Sequence, residues 1–200
     1  MIGRLQGTVI DKQAPDLLLD VQGIGYELLV SLSTFFAIPA VGESVTLHTH
    51  FVVREDVQQL YGFTERSERT LFRHLIKVNG VGPKMALGVL SGMSANEFAA
   101  CVHNNDVTTL VRLPGVGKKT AERLVIEMRD RVGSIEASVS STNVHAAQPD
   151  LTQEAESALI ALGYKPQDAA KMISRVAGDE VLSVEQLIRR ALKNMVSKAR

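Results

Sequence analysis

Two short stretches of this chain repeat each other, and they constrain its fold more than any other feature of the sequence. Val78-Asn79-Gly80-Val81-Gly82-Pro83-Lys84 and Leu113-Pro114-Gly115-Val116-Gly117-Lys118-Lys119 each place an apolar residue, two glycines around a valine and a lysine ahead of an apolar run. Glycine permits a tight turn, and the first N–H groups of a helix have no internal partner and carry partial positive charge. Each copy therefore predicts a turn and a helix start suited to a phosphate group.

Helical periodicity surrounds both turns, so the scheme of helix, glycine turn and helix occurs twice. Helical periodicity over residues 64–77 precedes the first turn, and Thr64 or Ser67 is a candidate cap for this helix. Ser94, with Glu97 three residues later, predicts the start of a further helix. This pattern resembles the helix-hairpin-helix motif, which implies backbone contacts to DNA phosphates without reading of bases. The alternative is a purely structural pair of helical hairpins. The expected DNA-binding residues are Gly80, Gly82, Lys84, Gly115, Gly117, Lys118, Lys119 and Arg123.

Residues 1–63 predict a small β-barrel. Five segments rich in aliphatic and β-branched residues, separated by turn residues, cover 5–10, 17–21, 26–30, 44–53 and 59–63, and residues 31–38 are suited to a short helix. Five strands with a helix between the third and fourth are typical of the OB type of Greek-key barrel. Such barrels often bind nucleic acid, but this one is acidic and poor in the aromatic side chains on which bases stack.

The last two predicted strands are joined by Arg54-Glu55-Asp56. Charged residues are common in solvated turns, and this is the simplest interpretation. The alternative is electrostatic, since paired carboxylates facing a phosphate-binding surface would repel duplex backbones and hold strands apart.

The formal net charge of zero conceals a segregation along the chain. When Asp and Glu are subtracted from Lys and Arg, the net charge is −4 for residues 1–63, +4 for residues 64–133 and 0 for residues 134–200. The glycine repeat lies in the basic part, where a polyanion would be attracted. The chain thus joins a segment that attracts phosphates to one that repels them.

The remainder of the chain changes character twice. Residues 134–153 are small and polar and have no apolar periodicity, which predicts a flexible linker. Residues 154–200 predict a three-helix, UBA-like bundle with a Leu-Gly-Tyr turn. Ser183 and Gln186 are expected to cap its third helix. The predicted fold is therefore multidomain α+β, with an OB-type barrel over 1–63, a tandem helix-hairpin-helix domain over 64–133, the linker and the bundle.

Composition narrows the functional classes. With 45% apolar and 22% charged residues and no run long enough for a membrane span or a signal peptide, the chain is expected to be cytoplasmic, with no membrane partner. Cys101 is the single cysteine, and the five histidines have no ligand spacing, so no metal site and no cofactor are expected.

The acidic tip, the doubled glycine hairpin and the order of the segments together resemble the RuvA family. The match covers the barrel with Arg54-Glu55-Asp56-Val57-Gln58-Gln59-Leu60-Tyr61-Gly62-Phe63, both glycine hairpins, the linker and the small bundle. The resemblance implies a homotetramer that binds four-way (Holliday) DNA junctions and holds them open and square, with strands separated by acidic pins at Glu55 and Asp56.

The same resemblance implies partners and a process. The C-terminal bundle would bind the hexameric ATPase RuvB, which drives branch migration, and the RuvC resolvase would act afterwards, in recombination, DNA repair and the SOS response to DNA damage. One or two tetramers on each junction, and the residues of the tetramer contacts, stay open.

No catalytic residue is expected in this chain. Gly115-Val116-Gly117-Lys118-Lys119-Thr120 has a glycine spacing too short for a Walker-type phosphate loop, so ATP hydrolysis would belong to the partner. Two other classes remain as alternatives, a glycosylase or nuclease anchored by helix-hairpin-helix motifs and a single-strand-binding OB protein. The first would need a catalytic Lys or Asp beside the second hairpin, which continues instead as Ala121-Glu122-Arg123.

Overall fold

The computed structural model describes residues 1–55, 57–133, 151–176 and 183–198. The chain divides into two compact units, Met1–Asn143 and Val144–Arg200. The first unit contains two hydrophobic clusters and the second contains one of its own. Asp56 of the predicted acidic pin and most of the predicted linker lie outside the described residues.

Five strands form a closed barrel at the N terminus, which confirms the predicted OB-type arrangement. They are β1 (Arg4–Gln13), β2 (Asp16–Val21), β3 (Ile24–Val30), β4 (Ser44–Val53) and β5 (Gln58–Phe63). The order around the barrel is β1-β2-β3-β5-β4, and every pairing is antiparallel except the parallel pair of β3 and β5. Closure leaves no strand edge unpaired.

Strand β1 runs further than the sequence pattern indicated. Residues 11–16 resemble a turn, but β1 continues to Gln13, and the reversal is confined to Ala14 and Pro15. The register shifts between Val9 and Asp11, after which the polar residues of β1 still pair with the start of β2. Backbone pairing thus overrides the turn preference of individual side chains.

A short helix, α1 (Leu32–Ala37), connects β3 to β4 where residues 31–38 predicted one. The side chain of Ser31 caps it by accepting a hydrogen bond from the Thr34 N–H at 3.1 Å. Pro39 follows one residue after the C-cap and prevents continuation.

After the barrel, the described part of the first unit contains α2 (Arg66–Leu75), α3 (Pro83–Gly92), α4 (Ala95–His103), α5 (Val107–Val111) and α6 (Lys118–Met128), with a 3-10 turn at Arg129–Arg131. The capping box of Ser94 and Glu97 at α4 is present as predicted. The prediction of a Thr64 or Ser67 cap for α2 is wrong, because Glu65 is the N-cap and supplies no side-chain bond. The Thr64 N–H instead donates to Thr34 Oγ1 of α1 at 3.4 Å.

Helix α2 fastens the helical domain to the barrel. The ring of Phe72 packs between Tyr61 and Phe63 of β5, at centroid distances of 4.9 and 5.1 Å. The buried carboxylate of Glu68 accepts hydrogen bonds from the hydroxyls of Ser33 and Thr34 in α1, at 2.7 and 2.8 Å. Apolar packing and buried hydrogen bonds therefore fix the barrel and the helical domain in one orientation.

The second unit contains α7 (Leu151–Ala161), α8 (Pro166–Ser174) and α9 (Val184–Lys198), which agrees with the predicted three-helix bundle. Its core includes Leu159, Ile173 and Leu187. Helix α7 includes Leu151, which belongs to the predicted linker and packs against this core. Ser183 and Gln186 form the predicted reciprocal bonds at the start of α9.

No single helix among the described residues is long and apolar enough to cross a membrane. Helices α3 and α4 reach that length and composition only when taken together, and they meet at an angle of 94°.

Candidate nucleic-acid interface

The two glycine turns have the same backbone geometry. Gly80 and Gly115 have φ angles of +84° and +79°, a conformation that residues with a side chain adopt only with strain. In each copy the valine between the glycines donates its N–H three residues back, from Val81 to Val78 at 3.0 Å and from Val116 to Leu113 at 3.1 Å. The sequence repeat is therefore also a structural repeat.

The second glycine of each pair is the N-cap of the following helix. Gly82 precedes α3 with φ −86° and ψ 168°, and Gly117 precedes α6 with φ −82° and ψ 166°. Neither has a side chain to bond the first N–H groups of its helix, and a Cβ added at either position would meet no atom within 4 Å. Both helix starts thus lack a side-chain cap, and their first N–H groups can face an approaching anion, except at Pro83 of α3, which has no N–H.

Exposed lysines lie beside both helix starts. Lys84 is in the first turn of α3, and Lys118 and Lys119 open α6. The valines of the turns, by contrast, are buried in the core beneath, with Val81 and Val116 at 5% and 4% exposure. Each hairpin therefore holds an apolar anchor inward and its glycines and lysines outward.

Arg123 joins the two hairpins. Its Nη1 atom, on α6 of the second hairpin, donates to the carbonyl oxygen of Asn79 in the first glycine turn at 2.8 Å. The same atom lies 3.4 Å from where a Cβ on Gly80 would be. Sequence analysis predicted Arg123 as a DNA-binding residue, and the structure gives it a contact that holds the first turn beside the second helix.

A second contact brings the hairpins together through α3. Gly88 and Gly92 lie one helical turn apart, and a Cβ on each would meet Pro114 O at 3.4 Å and Leu113 Cδ2 at 2.5 Å. The absence of side chains on this face of α3 allows the second turn to pack closely against it.

The β4–β5 hairpin lies beside the first glycine turn. The Arg54 N–H donates to the Val57 carbonyl at 2.8 Å and closes the hairpin, which leaves Glu55 exposed. A groove of about 340 Å³ lies between the base of this hairpin and the first turn, lined by Val52, Arg54, Val57, Gln59, Tyr61, Gly82, Pro83 and Lys84. The structure thus brings Arg54 and Lys84 to one groove, whereas Asp56 lies outside the described residues.

A basic cluster around β4 and α2 was missed by sequence analysis. Arg73 Nε donates to His50 Nδ1 at 3.2 Å, and burial together with Arg73 and Arg69 lowers the pKa of His50. Burial also lowers the pKa of His48, helped by Arg69, Arg66 and Arg4 and opposed by Glu65. The available signal was the recurrence of arginine at helical spacing in α2.

Within the described ranges, no three His, Cys, Asp or Glu side chains are grouped so that they could hold a metal ion. Cys101 is half-buried, and burial raises the pKa of its thiol, with Asp106 and Glu97 acting in the same direction. The lysines and the helix starts at Gly82 and Gly117 offer cations and hydrogen-bond donors to an anion.

Family models match nearly the whole chain. The model described as RuvA N terminal domain covers residues 1–62, SAM-like Helix-hairpin-helix tandem covers 72–130, and RuvA, C-terminal domain covers 150–196.

Curated relatives match over almost their full length. A protein of Thioalkalivibrio sulfidiphilus is 59% identical over 96% of this chain and 98% of its own, and one of Marinobacter nauticus is 55% identical over 98% and 99%. Each of them bears the name Holliday junction branch migration complex subunit RuvA. This similarity, together with the barrel, the paired glycine turns and the terminal bundle, shows that the chain belongs to the RuvA family.

Proposed function

We propose that this protein binds four-way DNA junctions without regard to sequence and acts as the DNA-binding subunit of a branch migration complex. The observation that carries this proposal is the pair of uncapped helix starts, at Gly82 and Gly117, held together by Arg123. Two such starts contact phosphates at two points, which fixes a duplex on the protein surface but selects no base. The names of the relatives support the junction as the substrate.

Selection of a junction over a plain duplex is assigned to the tip of the β4–β5 hairpin. Glu55 is exposed there, next in the chain to Asp56, and the base of the hairpin adjoins the first glycine turn. In a four-fold tetramer the tips would surround the crossover and repel phosphates, while the glycine turns hold the arms. The junction would then be held open and square.

The proposed activity involves no bond chemistry in this chain. Its C-terminal bundle would recruit the hexameric ATPase RuvB, and RuvC would resolve the junction, in homologous recombination and repair. The exposed apolar side chains of Ile160 and Leu162, at 42% and 64%, give the bundle a surface for such a partner. The proposed location of this activity is the cytoplasm.

The decisive experiment places bulk at the two helix starts. Gly82→Leu and Gly117→Leu add a side chain where the φ angles are negative and no atom lies within 4 Å, so the fold should be retained. Because the leucine would occupy the place of a phosphate, we expect the double variant to bind a labelled four-way junction at least about tenfold more weakly at fixed salt. The measurement is a titration followed by fluorescence anisotropy.

The matched control is Gly133→Leu, a glycine that is also exposed and free of neighbours within 4 Å but lies outside both turns. Unchanged junction affinity in the Gly82 and Gly117 variant would refute the proposed contact. Incubation of the labelled junction with the wild-type protein and Mg²⁺ tests the absence of catalysis, since strand scission would favour a nuclease. A competition in which single strands displace the junction would favour a single-strand-binding protein.

A further inference from the structure

Helix α2 carries a row of cations that the glycine turns do not explain. Arg66, Arg69 and Arg73 recur at spacings of three and four residues, which places them on one side of the helix. Lys77 continues the spacing and is exposed just after the helix, where the chain enters the first glycine turn. We call these four residues the α2 stripe, and it leads from the barrel to Gly80.

The barrel adds further positive charge at the side of the stripe. The hydrogen bond from Arg73 places its guanidinium against His50 of β4, and Arg4 of β1 pairs in register with His48 of β4. Arg69, Arg66 and Arg4 lower the pKa of His48, and Glu65 opposes them. Cations of β1 and α2 therefore surround two histidines.

No carboxylate pairs with the arginines of the cluster within the part of the chain that the structure describes. Arg69 donates through Nη1 to the Gly3 carbonyl at 2.7 Å, while its buried Nε atom has no partner there. Arg4 bonds the side chain of Gln6 at 3.2 Å. Like charges gathered in one place destabilise the fold, and Glu65 is the one carboxylate that acts against them at His48 in the described part of the chain. An anion that joins the cluster removes this cost.

We propose that the α2 stripe binds the phosphodiester backbone of a DNA arm next to the first glycine turn. This inference rests on the proposed function and extends its footprint. With a helical rise of about 1.5 Å per residue, Arg66 and Arg73 lie about 10 Å apart along the axis. One DNA strand carries a charge about every 3.4 Å of its axis, so the helical part of the stripe, from Arg66 to Arg73, spans about three phosphates.

A second copy of the chain is the rival occupant. The barrel has a groove of about 230 Å³ lined in part by Asp11, Asp16 and Glu27, which could accept arginines of a neighbouring subunit. Continuity favours DNA, because the stripe ends at the turn whose following helix start, at Gly82, already presents uncapped N–H groups. Guanidinium groups also match phosphate oxygens in pairs.

The test removes charge from the stripe in the full-length protein. Arg66→Gln with Arg73→Gln should weaken binding to a labelled four-way junction about tenfold or more at moderate salt. It should also reduce the slope of log affinity against log salt by about 1.8, which is about 0.9 for each phosphate that the variant no longer neutralises. Arg66→Lys with Arg73→Lys should keep most of that slope, because the charges remain.

The control is Lys165→Gln with Lys171→Gln, which removes the same charge from exposed positions of the second unit and should leave the slope unchanged. Light scattering on every variant reports its oligomeric state. If the Arg66→Gln, Arg73→Gln variant keeps both its junction affinity and its salt slope, the proposal is overturned. Loss of the oligomer with an unchanged salt slope also overturns it, because the stripe would then contact a second copy of the chain. If the leucine variants at Gly82 and Gly117 also bind normally, the proposed function itself fails.

Discussion

At the scale of single residues, the two glycines of each turn have different roles. Gly115 has φ +79°, whereas Gly117, two residues later, has φ −82° and serves as an N-cap. The first is needed for backbone conformation and the second for an unobstructed helix start. Spacing alone shows that both are glycines, but only the dihedral angles separate the two reasons.

This difference predicts opposite results for two alanine variants. Gly115→Ala should lower the free energy of unfolding by about 1–2 kcal/mol, because alanine is strained at positive φ. Gly117→Ala should be nearly neutral for stability, since its φ angle and surroundings accept a methyl group. Urea unfolding of both variants checks the prediction, and an equal loss of stability in the two would contradict it.

Three half-buried histidines predict how stability depends on pH. Burial, with nearby cations, lowers the pKa values of His48, His50 and His74 in the folded protein. The unfolded chain, in which a histidine has a pKa of about 6.5, therefore binds protons more readily than the folded protein. The contribution of these histidines to the free energy of unfolding is complete above about pH 6.5, and it is lost as the pH falls through the folded pKa values.

We therefore expect the free energy of unfolding to decrease from about pH 7.5 to about pH 5.5. A variant with glutamine at His48 and His50 should show a smaller decrease over the same range. Stability that rises towards acid in the wild-type protein would be inconsistent with these pKa shifts.

At the scale of elements, α2 determines where the site residues lie. The Phe72 ring and the Glu68 carboxylate attach it to the barrel, so the β4–β5 hairpin and the first glycine turn are held at one groove. The proposed division between an attracting surface and a repelling tip depends on this attachment, because charges act over a range of about 8–10 Å at physiological salt.

The acidic tip can be tested by neutralising it without changing its size. Glu55→Gln with Asp56→Asn should leave junction binding intact and tighten binding to linear duplex, because a repulsive charge is removed. ATPase-driven branch migration should be altered in the same variant. Gel competition between junction and duplex measures the first effect, and a plain loss of junction binding would argue against repulsion.

At the scale of the whole molecule, the chain consists of two units with separate cores. The candidate DNA contacts all lie in the first unit, and the bundle of α7 to α9 forms the second. Separate cores allow one unit to be removed while the other keeps its packing.

Deletion of residues 150–200 is therefore expected to preserve junction binding and to abolish branch migration driven by RuvB. The measurement combines anisotropy with a strand-displacement assay in the presence of the ATPase and ATP. Migration that persists in the truncated protein would exclude the bundle as the site of recruitment. The control is the Lys165→Gln, Lys171→Gln variant, which changes the surface of the bundle but keeps the bundle in place.

The sequence by itself determined the elements and their order. Alternating aliphatic segments predicted the five strands, and the repeated glycines predicted both hairpins, because these preferences act over a few neighbouring residues. The same local reasoning ended β1 too early, where pairing with β2 extends the strand, and it chose the wrong cap for α2, whose N-cap is Glu65.

Only the tertiary structure decided which distant residues meet. The contact of Arg123 with Asn79 spans 44 positions, and the contact of Arg73 with His50 spans 23. Neither leaves a periodic trace in the sequence, since each depends on how α2 packs on the barrel and how α6 packs beside the first turn. The glycine turns could be identified from residue types, but the joined surface that they form required the packing of the whole first unit.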